Sequence, residues 1–338
     1  MIGQGRYESG PDFDLLVETV NEILEREGVM SSRGFDLEVK RSESASSYDV
    51  NIVTVRFTEG GFRRLFMKDY GSSVRVKHDP VKRRDCEFGV YRDLLGDAGL
   101  GTARYLGSRW EAGATAGEGR CWLFLEYVLG TEVRYCAMPA WHASVQWLGR
   151  MQGVFASRGE ALRRTAFLER HDRAFFERTA LRALAAVREA NPAVESRVAH
   201  VVDRYRAVHA FMAEQPATLV HGAFRPQNLL VRQGSDPPSI CPTDWERAAV
   251  GSRLFDFGCF AYGFEPPELD RLWASYRAGA SESGLDVGGL ADARPMLECV
   301  YLHRIVNWLA HSAQHRYPPA TVERLVNLGQ AIAEPQPA

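Results

Sequence analysis

The segment that most constrains the fold of this chain is the stretch 219–256, LVHGAFRPQNLLVRQGSDPPSICPTDWERAAVGSRLFD. Its first residues predict a short strand, which is followed by a polar loop, 221–228, and then by a hairpin. The arms of the hairpin are apolar, and Gly234, Pro237 and Pro238 supply its turn. Helical patterns stand on both sides of the stretch. The fold must therefore accommodate a strand, a loop and a hairpin inside a largely helical region.

Upstream, the sequence predicts a small α+β lobe over residues 1–129 that is built on an antiparallel sheet. A leading amphipathic helix covers about 11–27, where apolar residues recur at helical spacing before Gly28. A second helix, Lys82 to Leu95, stands between the third and fourth strands. The predicted strands, which are rich in β-branched and aromatic residues, are Phe35 to Arg41, Val50 to Phe57, Arg64 to Tyr70, Arg104 to Trp110 and Cys121 to Val128.

Downstream, residues 130–333 predict a larger, mainly helical lobe, and the tail 334–338 is expected to fray. The boundary falls near Tyr127 to Glu132, with Gly130 as a plausible hinge. Long amphipathic patterns predict helices at Pro139 to Ala156, Arg170 to Ala190, Ala193 to Glu214, Pro267 to Ala278, Arg294 to His315 and Pro319 to Ala333.

Composition excludes several classes of function. With 41 basic and 43 acidic side chains, the formal net charge is −2, which gives no reason to expect nucleic acid or an anionic membrane as partner. No signal peptide and no apolar run of roughly 20 residues is recognisable, so we expect a cytoplasmic protein. The six cysteines are scattered without close pairs, which favours reduced structural thiols over disulfides or a zinc site. The oligomeric state is left open.

The spacing within the 219–256 stretch is that of the catalytic core of a kinase-type enzyme. Such a core has a loop that opens with His, an Asp two residues later, an Asn five residues after that, and a further Asp behind a hairpin. His221, Asn228 and Asp244 occupy three of these positions, and Ala223 occupies the position of the first Asp. His221 is a candidate catalytic-loop residue whose expected task is to organise the loop. Arg225 is a candidate cation for the transferred phosphoryl group, and a solvated loop arginine is the alternative.

Asn228 and Asp244 are the candidate ligands of Mg²⁺, a hard ion that prefers one or two protein oxygens together with phosphate oxygens. Their alternatives are a loop-capping amide and a helix N-cap. Lys68 lies in the middle of an apolar strand and is the candidate cation for the α- and β-phosphates, with a solvent-facing lysine as the alternative. Glu87, on the next helix, is the carboxylate expected to pair with Lys68.

Two further segments are candidates for the nucleotide. Ser44, Ser46 and Ser47 lie in a small-residue turn whose backbone N–H groups and hydroxyls could approach phosphates, although such a turn is usually only a turn. Backbone groups of Glu126-Tyr127-Val128 would meet the adenine edge.

The sequence resembles the aminoglycoside phosphotransferase family, the kinase-like group that also includes choline kinases. HGAFRPQN resembles the family's His-Gly-Asp-x-x-x-x-Asn, and Asp244-Trp245-Glu246 resembles its Asp-Trp/Phe-Glu. Asp256, in GSRLFDFG, is similar to a family aspartate and is expected to brace the loop. The resemblance, over about 35–315, implies a two-lobed α+β fold of the protein-kinase type. It also implies transfer of phosphate from ATP (or GTP) with Mg²⁺ to a small hydroxylated molecule, an aminoglycoside or another natural product such as an antibiotic.

Ala223 leaves two hypotheses open. In the first, the chain is a small-molecule kinase that the alanine inactivates or strongly slows; in the second, it is a natural pseudokinase that binds a nucleotide or a partner. Another carboxylate, such as Glu246, serving as base is a third possibility. The acids Glu265, Glu268 and Asp270 only feebly indicate a cationic acceptor, and Trp308 is expected in the core although its helix could contribute to the acceptor pocket.

Overall fold

The structure is a computed structural model that describes residues 11–29, 34–42, 48–73, 79–111 and 120–333. The chain divides into two units, Met1–Gly130 and Thr131–Ala338. The serine-rich turn 43–47 and the tail 334–338 lie outside the described residues. No helix in the described ranges is both long and apolar enough to cross a membrane. The six cysteines are free thiols.

The first unit is built on a five-stranded antiparallel sheet in the order β1-β2-β3-β5-β4. The elements of this unit are α1 (Pro11–Arg26), β1 (Phe35–Arg41), β2 (Tyr48–Phe57), β3 (Phe62–Ser73), α2 (Pro80–Gly89), β4 (Tyr105–Glu111) and β5 (Arg120–Glu126). A π-helical turn, Val90–Leu95, continues α2. The predicted strands and both helices are therefore present, with ends that differ by a few residues.

The core of the first unit lies between α1 and the sheet. Leu16, Val20 and Ile23 recur at helical spacing, so they form one face of α1, and that face is fully buried. Against it pack inward residues of the strands, including Val53 and Trp122. Because side chains alternate along a strand, residues on the other face of β3 are free to carry out a different task.

The second unit is mainly helical and contains two small sheets. Its elements are β6 (Gly130–Glu132), α3 (Met138–Ala156), α4 (Gly159–Arg164), β7 (Glu169–Arg170), α5 (Arg173–Ala190), α6 (Glu195–Ala213), β8 (Ala217–Val220), β9 (Leu229–Arg232), β10 (Ile240–Pro242), β11 (Ala249–Ser252), α7 (Leu254–Ala261), α8 (Pro266–Glu282), α9 (Leu290–Leu309) and α10 (Pro319–Ala333). One sheet has the order β10-β9-β6 and the other has the order β7-β11-β8.

Helices α3 and α8 pack at very short range because each presents a glycine to the other. A Cβ atom on Gly149 would lie 2.2 Å from the carbonyl oxygen of Tyr276. A Cβ on Gly279 would lie 1.8 Å from the carbonyl oxygen of Gln146. Real Cβ contacts do not become this short, so this crossing requires glycine on both helices.

The structure differs from the sequence prediction at several elements of the second unit. Helix α9 begins at Leu290, before the predicted Arg294, because the Asp292 carboxylate accepts a hydrogen bond from the backbone N–H of Gly289. It ends at Leu309, before the predicted His315. Helices α4 and α7 and strands β6, β7 and β11 were not predicted from the sequence. These elements are short, so their periodicity is weak and tertiary pairing decides their conformation.

Candidate active site

The polar loop that follows β8 is held by one buried carboxylate. Asp256, at the start of α7, accepts hydrogen bonds from the backbone N–H of His221 at 2.6 Å and from that of Gly222 at 3.0 Å. Burial raises the pKa of Asp256 to about 7, while the two backbone donors oppose the rise. Asp256 therefore braces the loop, in the manner expected from the sequence.

Gly222 is required by its backbone conformation and by its surroundings. Its φ is +73°, in the left-handed region, and a Cβ there would lie 2.0 Å from the carbonyl oxygen of Arg247. A side chain at this position would push the loop away from the segment that follows the hairpin. The glycine thus fixes where residue 223 lies.

The His221 ring connects the loop to the end of the hairpin. Its Nε2 lies 3.0 Å from the carbonyl oxygen of Thr243, and its Nδ1 accepts a hydrogen bond from the N–H of Ala223 at 3.3 Å. Since Nδ1 is an acceptor, Nε2 carries the proton and donates to Thr243. Burial lowers the pKa of His221 to about 4, so the ring is neutral at physiological pH.

The hairpin places Asn228 and Asp244 next to each other in space. The β9–β10 pairing ends at Leu229 and Pro242, and Thr243 continues it by donating its N–H and its hydroxyl to the carbonyl oxygen of Asn228, at 2.8 and 3.1 Å. Because their neighbours pair in this way, the two predicted metal ligands follow directly at the same end of the hairpin.

The side chains of the two residues suit a hard cation. Asn228 donates its Nδ2 to the carbonyl oxygen of Ala223 at 3.0 Å, which directs the amide oxygen away from that contact. Asp244 lies outside any helix and has a φ of +64°, so it is not a helix N-cap. No group of three or more His, Cys, Asp or Glu in the described ranges could hold a metal by itself. An Asn–Asp pair matches Mg²⁺, which takes few protein ligands and completes its shell with phosphate and water.

Ala223 carries no group able to take part in proton transfer. Its residue is 8% exposed, its N–H binds His221, and its carbonyl oxygen binds Asn228. The backbone at this position is thus used to hold the loop, while the side chain is a methyl group. Two hydrogen bonds of the Ala223 backbone therefore fix the loop, and its methyl group adds none.

Arg225 precedes a 3₁₀ turn, Pro226–Asn228, and it lines a cavity of 440 Å³ in the second unit. The cavity wall also includes Trp141 of α3, Phe260 of α7, and Arg304 and Trp308 of α9. Trp308 is only half-buried, so the expectation of a core tryptophan is wrong, whereas its neighbour Leu309 is fully buried. The helix around Trp308 contributes to a pocket beside the loop.

In the first unit, Lys68 and Glu87 form a buried ion pair. The Lys68 Nζ lies 2.6 Å from the Glu87 Oε2, and the two side chains are 9% and 3% exposed. Tyr70 donates its hydroxyl to the same carboxylate oxygen, and the ammonium lies 5.2 Å from the centroid of the Tyr70 ring. A solvent-facing lysine is therefore excluded for position 68. The ammonium is thus held in one position by the Glu87 carboxylate.

The other nucleotide candidates of the first unit have different outcomes. Glu126 ends β5, and its backbone N–H and carboxylate are engaged with the carbonyl oxygen and N–H of Arg104. Tyr127 and Val128 follow the strand in irregular backbone, and neither makes a backbone–backbone hydrogen bond within the described ranges. Ser44, Ser46 and Ser47 lie outside the described residues.

Four residues that shape these sites were not found from the sequence: Tyr70, Gly222, Thr243 and Arg304. Gly222 had a signal, since a glycine in a polar loop often has a positive φ. Thr243 could have been found by extending the hairpin pairing by one residue. Tyr70 and Arg304 act through contacts with distant parts of the chain, and no local pattern marks them.

The sequence model described as "Phosphotransferase enzyme family" matches residues 53–294, which is more than half of the chain. The chain belongs to this family. The match includes Lys68, Glu87, Asn228 and Asp244. No curated protein matches the sequence significantly.

Solved structures of low sequence identity share the fold. The GDP and kanamycin complex of an aminoglycoside phosphotransferase, APH(2″)-IIIa, has a TM-score of 0.62 at 12% identity, over 94% of this chain and 98% of that one. Choline kinase from Cryptosporidium parvum Iowa II has a TM-score of 0.58 at 14% identity, over 95% and 93%. An amicoumacin kinase with AMP-PNP, Ca²⁺ and Ami bound has a TM-score of 0.58 at 13% identity, over 95% of each chain.

These matches confirm the family and the fold class predicted from the sequence. The chain has the α+β, kinase-like fold of the phosphotransferase family, with a small antiparallel-sheet unit followed by a larger, mainly helical one. Membership in a phosphotransferase family makes group transfer of phosphate the chemistry against which the loop and its alanine have to be interpreted.

Proposed function

We propose that the chain binds ATP or GTP together with Mg²⁺ and that its fold transfers the γ-phosphoryl group to a hydroxyl of a small molecule, with the transfer step strongly slowed by Ala223. The single observation that carries the proposal is the loop itself. Asp256, Gly222 and His221 hold it in a defined conformation beside the Asn228–Asp244 pair. Structures with the same fold that contain GDP, or AMP-PNP with Ca²⁺, support a nucleotide and a divalent cation.

Each candidate site residue has a defined task in this proposal. Lys68, fixed by Glu87, would bind the α- and β-phosphates, and the oxygens of Asn228 and Asp244 would hold the cation. A bound Mg²⁺ neutralises developing charge on the phosphates. Backbone groups of Tyr127 and Val128 would form hydrogen bonds with the nucleotide base. Position 223 is where the acceptor hydroxyl would be oriented and deprotonated, and a methyl group does neither.

The alanine also supports a second candidate function, a pseudokinase that binds nucleotide without transfer. The two candidates share the nucleotide site and differ at residue 223. The paired Lys68, together with Asn228 and Asp244 at one hairpin end, argues against a pseudokinase that binds only a partner, and residue 223 is what separates the two nucleotide-binding candidates. The acceptors to be tested include molecules similar to kanamycin and Ami, which two structures with the same fold contain.

The first experiment tests nucleotide binding by the chain as it stands. Mg-ATP and Mg-GTP at about a hundred times the dissociation constant should stabilise the fold by about 2.7 kcal/mol, and EDTA should abolish most of this gain. Lys68→Met should abolish it too. Lys40→Met, at an exposed lysine of the same sheet, is the matched control and should leave it unchanged. No stabilisation by either nucleotide would refute both candidate functions.

The second experiment separates the two candidates. Ala223→Asp should raise acceptor-dependent ADP release by about 10² to 10⁴-fold, the usual contribution of a general base. Asn228→Ala in the same background should remove the gain. Turnover that stays at background across a broad panel of hydroxylated acceptors, despite nucleotide binding, would favour the pseudokinase. If the wild-type chain already turns over as fast as Ala223→Asp, another base such as Glu246 deprotonates the acceptor.

A further inference from the structure

The cavity beside the loop has an unusual combination of walls. It has a volume of 440 Å³, and its aromatic lining residues come from three helices and one turn: Trp141, Phe260, Tyr262, Phe264 and Trp308. Arg225 and Arg304 are its two charged lining residues, and none of the lining residues is an acid. Flat aromatic faces favour a planar apolar ligand, and arginine guanidinium groups favour oxyanions.

Arg304 is held rigidly in this wall. Its guanidinium lies 5.1 Å from the centroid of the Tyr262 ring and 4.6 Å from that of Trp308, and its Nη1 donates to the carbonyl oxygen of Cys259. Its Nε is buried and has no hydrogen-bond partner. Burial lowers the pKa of Arg304, which is the signature of a cation that has lost water without gaining a counter-charge.

Arg225 adds a second cation that no carboxylate neutralises. It is half-buried, and no ion pair joins it to an acid within the described ranges. The acids of the neighbouring α8 are directed elsewhere. Glu268 lies 3.0 Å from His142 Nε2 and 2.9 Å from Arg271 Nη1, while Glu265 and Asp270 are exposed and do not line the cavity. The feeble indication of a cationic acceptor from these three acids therefore finds no support in the lining.

The cavity also adjoins the reacting position. Arg225, Pro226 and Gln227 belong to the loop that carries residue 223, and all three line the cavity. A molecule in the cavity would lie beside the position where the acceptor hydroxyl has to be oriented. This location makes the cavity the acceptor pocket, provided that the proposed phosphotransferase function holds.

We propose that the acceptor of this chain carries an oxyanionic group, a carboxylate or a phosphate, on a flat apolar body, and that Arg304 and Arg225 determine this specificity. An oxyanion in the cavity would compensate the charges of both arginines, while the rings of Trp141 and Trp308 cover the planar part of the ligand. A polycation would instead bring like charge to two arginines without any local acid. The inference deepens the proposed function and rests on it for the identity of the pocket.

The test uses four probes with the same hydroxymethyl-substituted benzene ring: 4-(hydroxymethyl)benzoate, 4-(hydroxymethyl)phenyl phosphate, 1,4-benzenedimethanol and 4-(hydroxymethyl)benzylamine. Dissociation constants are measured by ligand-observed NMR on the chain as it stands, so that no catalysis is needed. A charge-assisted hydrogen bond should lower the dissociation constant of an anionic probe about ten- to hundredfold relative to the neutral diol. The better of the two anions identifies the group as carboxylate or phosphate.

Variants connect the preference to the two arginines. Arg304→Gln and Arg225→Gln should each raise the dissociation constant of the anionic probe at least about tenfold and leave that of the diol nearly unchanged. The Arg304 side chain binds the backbone carbonyl of Cys259, so Arg304→Gln could fold poorly. The Arg225 side chain has no such contact in the described ranges, so Arg225→Gln keeps the test valid in that case. Arg277→Gln, at an exposed arginine of α8, is the matched control and should change neither constant.

Equal affinity for the anionic and neutral probes, or tighter binding of the amine, would overturn the inference. Loss of the anionic probe on addition of saturating Mg-AMP-PNP would also overturn it, because the arginines would then serve the nucleotide phosphates. Retention of both ligands together supports it. Stabilisation by Mg-ATP is measured separately, so a failed acceptor preference with intact nucleotide binding leaves the proposed phosphotransferase function standing.

Discussion

Replacing Asp256 by asparagine tests whether the buried carboxyl group that braces the loop after β8 titrates near neutral pH. The carboxyl group has a pKa of about 7 in the fold, against an ordinary value of 3.8, because burial disfavours its charged form. The stabilisation from a raised folded-state pKa is fully present below the ordinary value and is lost as pH rises through the folded value. The wild-type chain should therefore lose stability from this group between pH 5 and pH 8, whereas the asparagine variant should not.

The magnitude follows from the two pKa values. With one pKa unit equal to 1.36 kcal/mol, the linkage relation gives a loss of about 3 kcal/mol between pH 5 and pH 8. The asparagine variant also loses one of two acceptor oxygens for the N–H groups of His221 and Gly222, which costs about 1–3 kcal/mol at every pH. The diagnostic quantity is hence the change with pH in the stability difference between the two chains.

Urea unfolding curves at pH 5, 6, 7 and 8 provide that difference. It should move in favour of Asp256→Asn by about 3 kcal/mol across the series. Asp270→Asn, at an exposed acid of α8, should give a profile parallel to that of the wild type. Parallel profiles for wild type and Asp256→Asn would refute the reasoning, since they would mean that the buried carboxyl does not titrate between pH 5 and pH 8.

Three further substitutions probe the supports of the site. Gly222→Ala should lower the free energy of unfolding by at least about 2 kcal/mol, because its Cβ would collide with the Arg247 carbonyl oxygen and its φ is positive. Gly263→Ala is the control: its φ is +91° but a Cβ there has open space, so urea titration should show a smaller loss of stability. Glu87→Gln should cost about 3–5 kcal/mol and weaken Mg-ATP binding, since its lysine partner keeps a buried charge; unchanged stability would argue against a buried pair. Burial lowers the pKa of His171 to about 3, so protonation of the unfolded chain should reduce stability by about 2 kcal/mol on acidification from pH 7 to pH 5. In His171→Phe, the urea unfolding midpoint should therefore fall less between pH 7 and pH 5 than in the wild type.

The strands and the loop could be predicted because local chemistry decides them. β-Branched residues in VNIVTVRF predict β2 at nearly its observed bounds, and the glycine and prolines between the two apolar arms of the hairpin predict the turn between β9 and β10. The pairing of Lys68 with Glu87 followed from the order of strand and helix. In each case the information lies within a few residues of the feature, or in the spacing between two such features.

The character of the cavity could not be predicted in this way. Trp141, Tyr262 and Trp308 are far apart in sequence, and each is compatible with an ordinary core position. Arg304 gains its role from its cation–π contacts with two of these rings and from the absence of an acid in the lining. From the sequence alone, an arginine at position 304 would be expected to have a solvated side chain. Only the packing of α3, α7 and α9 against the loop 221–228 brings the rings and cations together.

Because Thr243 closes the hairpin, the distance between Asn228 and Asp244 does not depend on how many residues form the turn between them. The β9–β10 ladder and the two hydrogen bonds from Thr243 set the spacing of the pair, while most of the tip 233–239 is exposed. Residues can therefore be inserted or exchanged at the tip without displacing Asn228 or Asp244. With every native cysteine at least half-buried, a cysteine introduced at Gln233 would accept a fluorophore selectively, at the opposite end of the hairpin from Asn228 and Asp244.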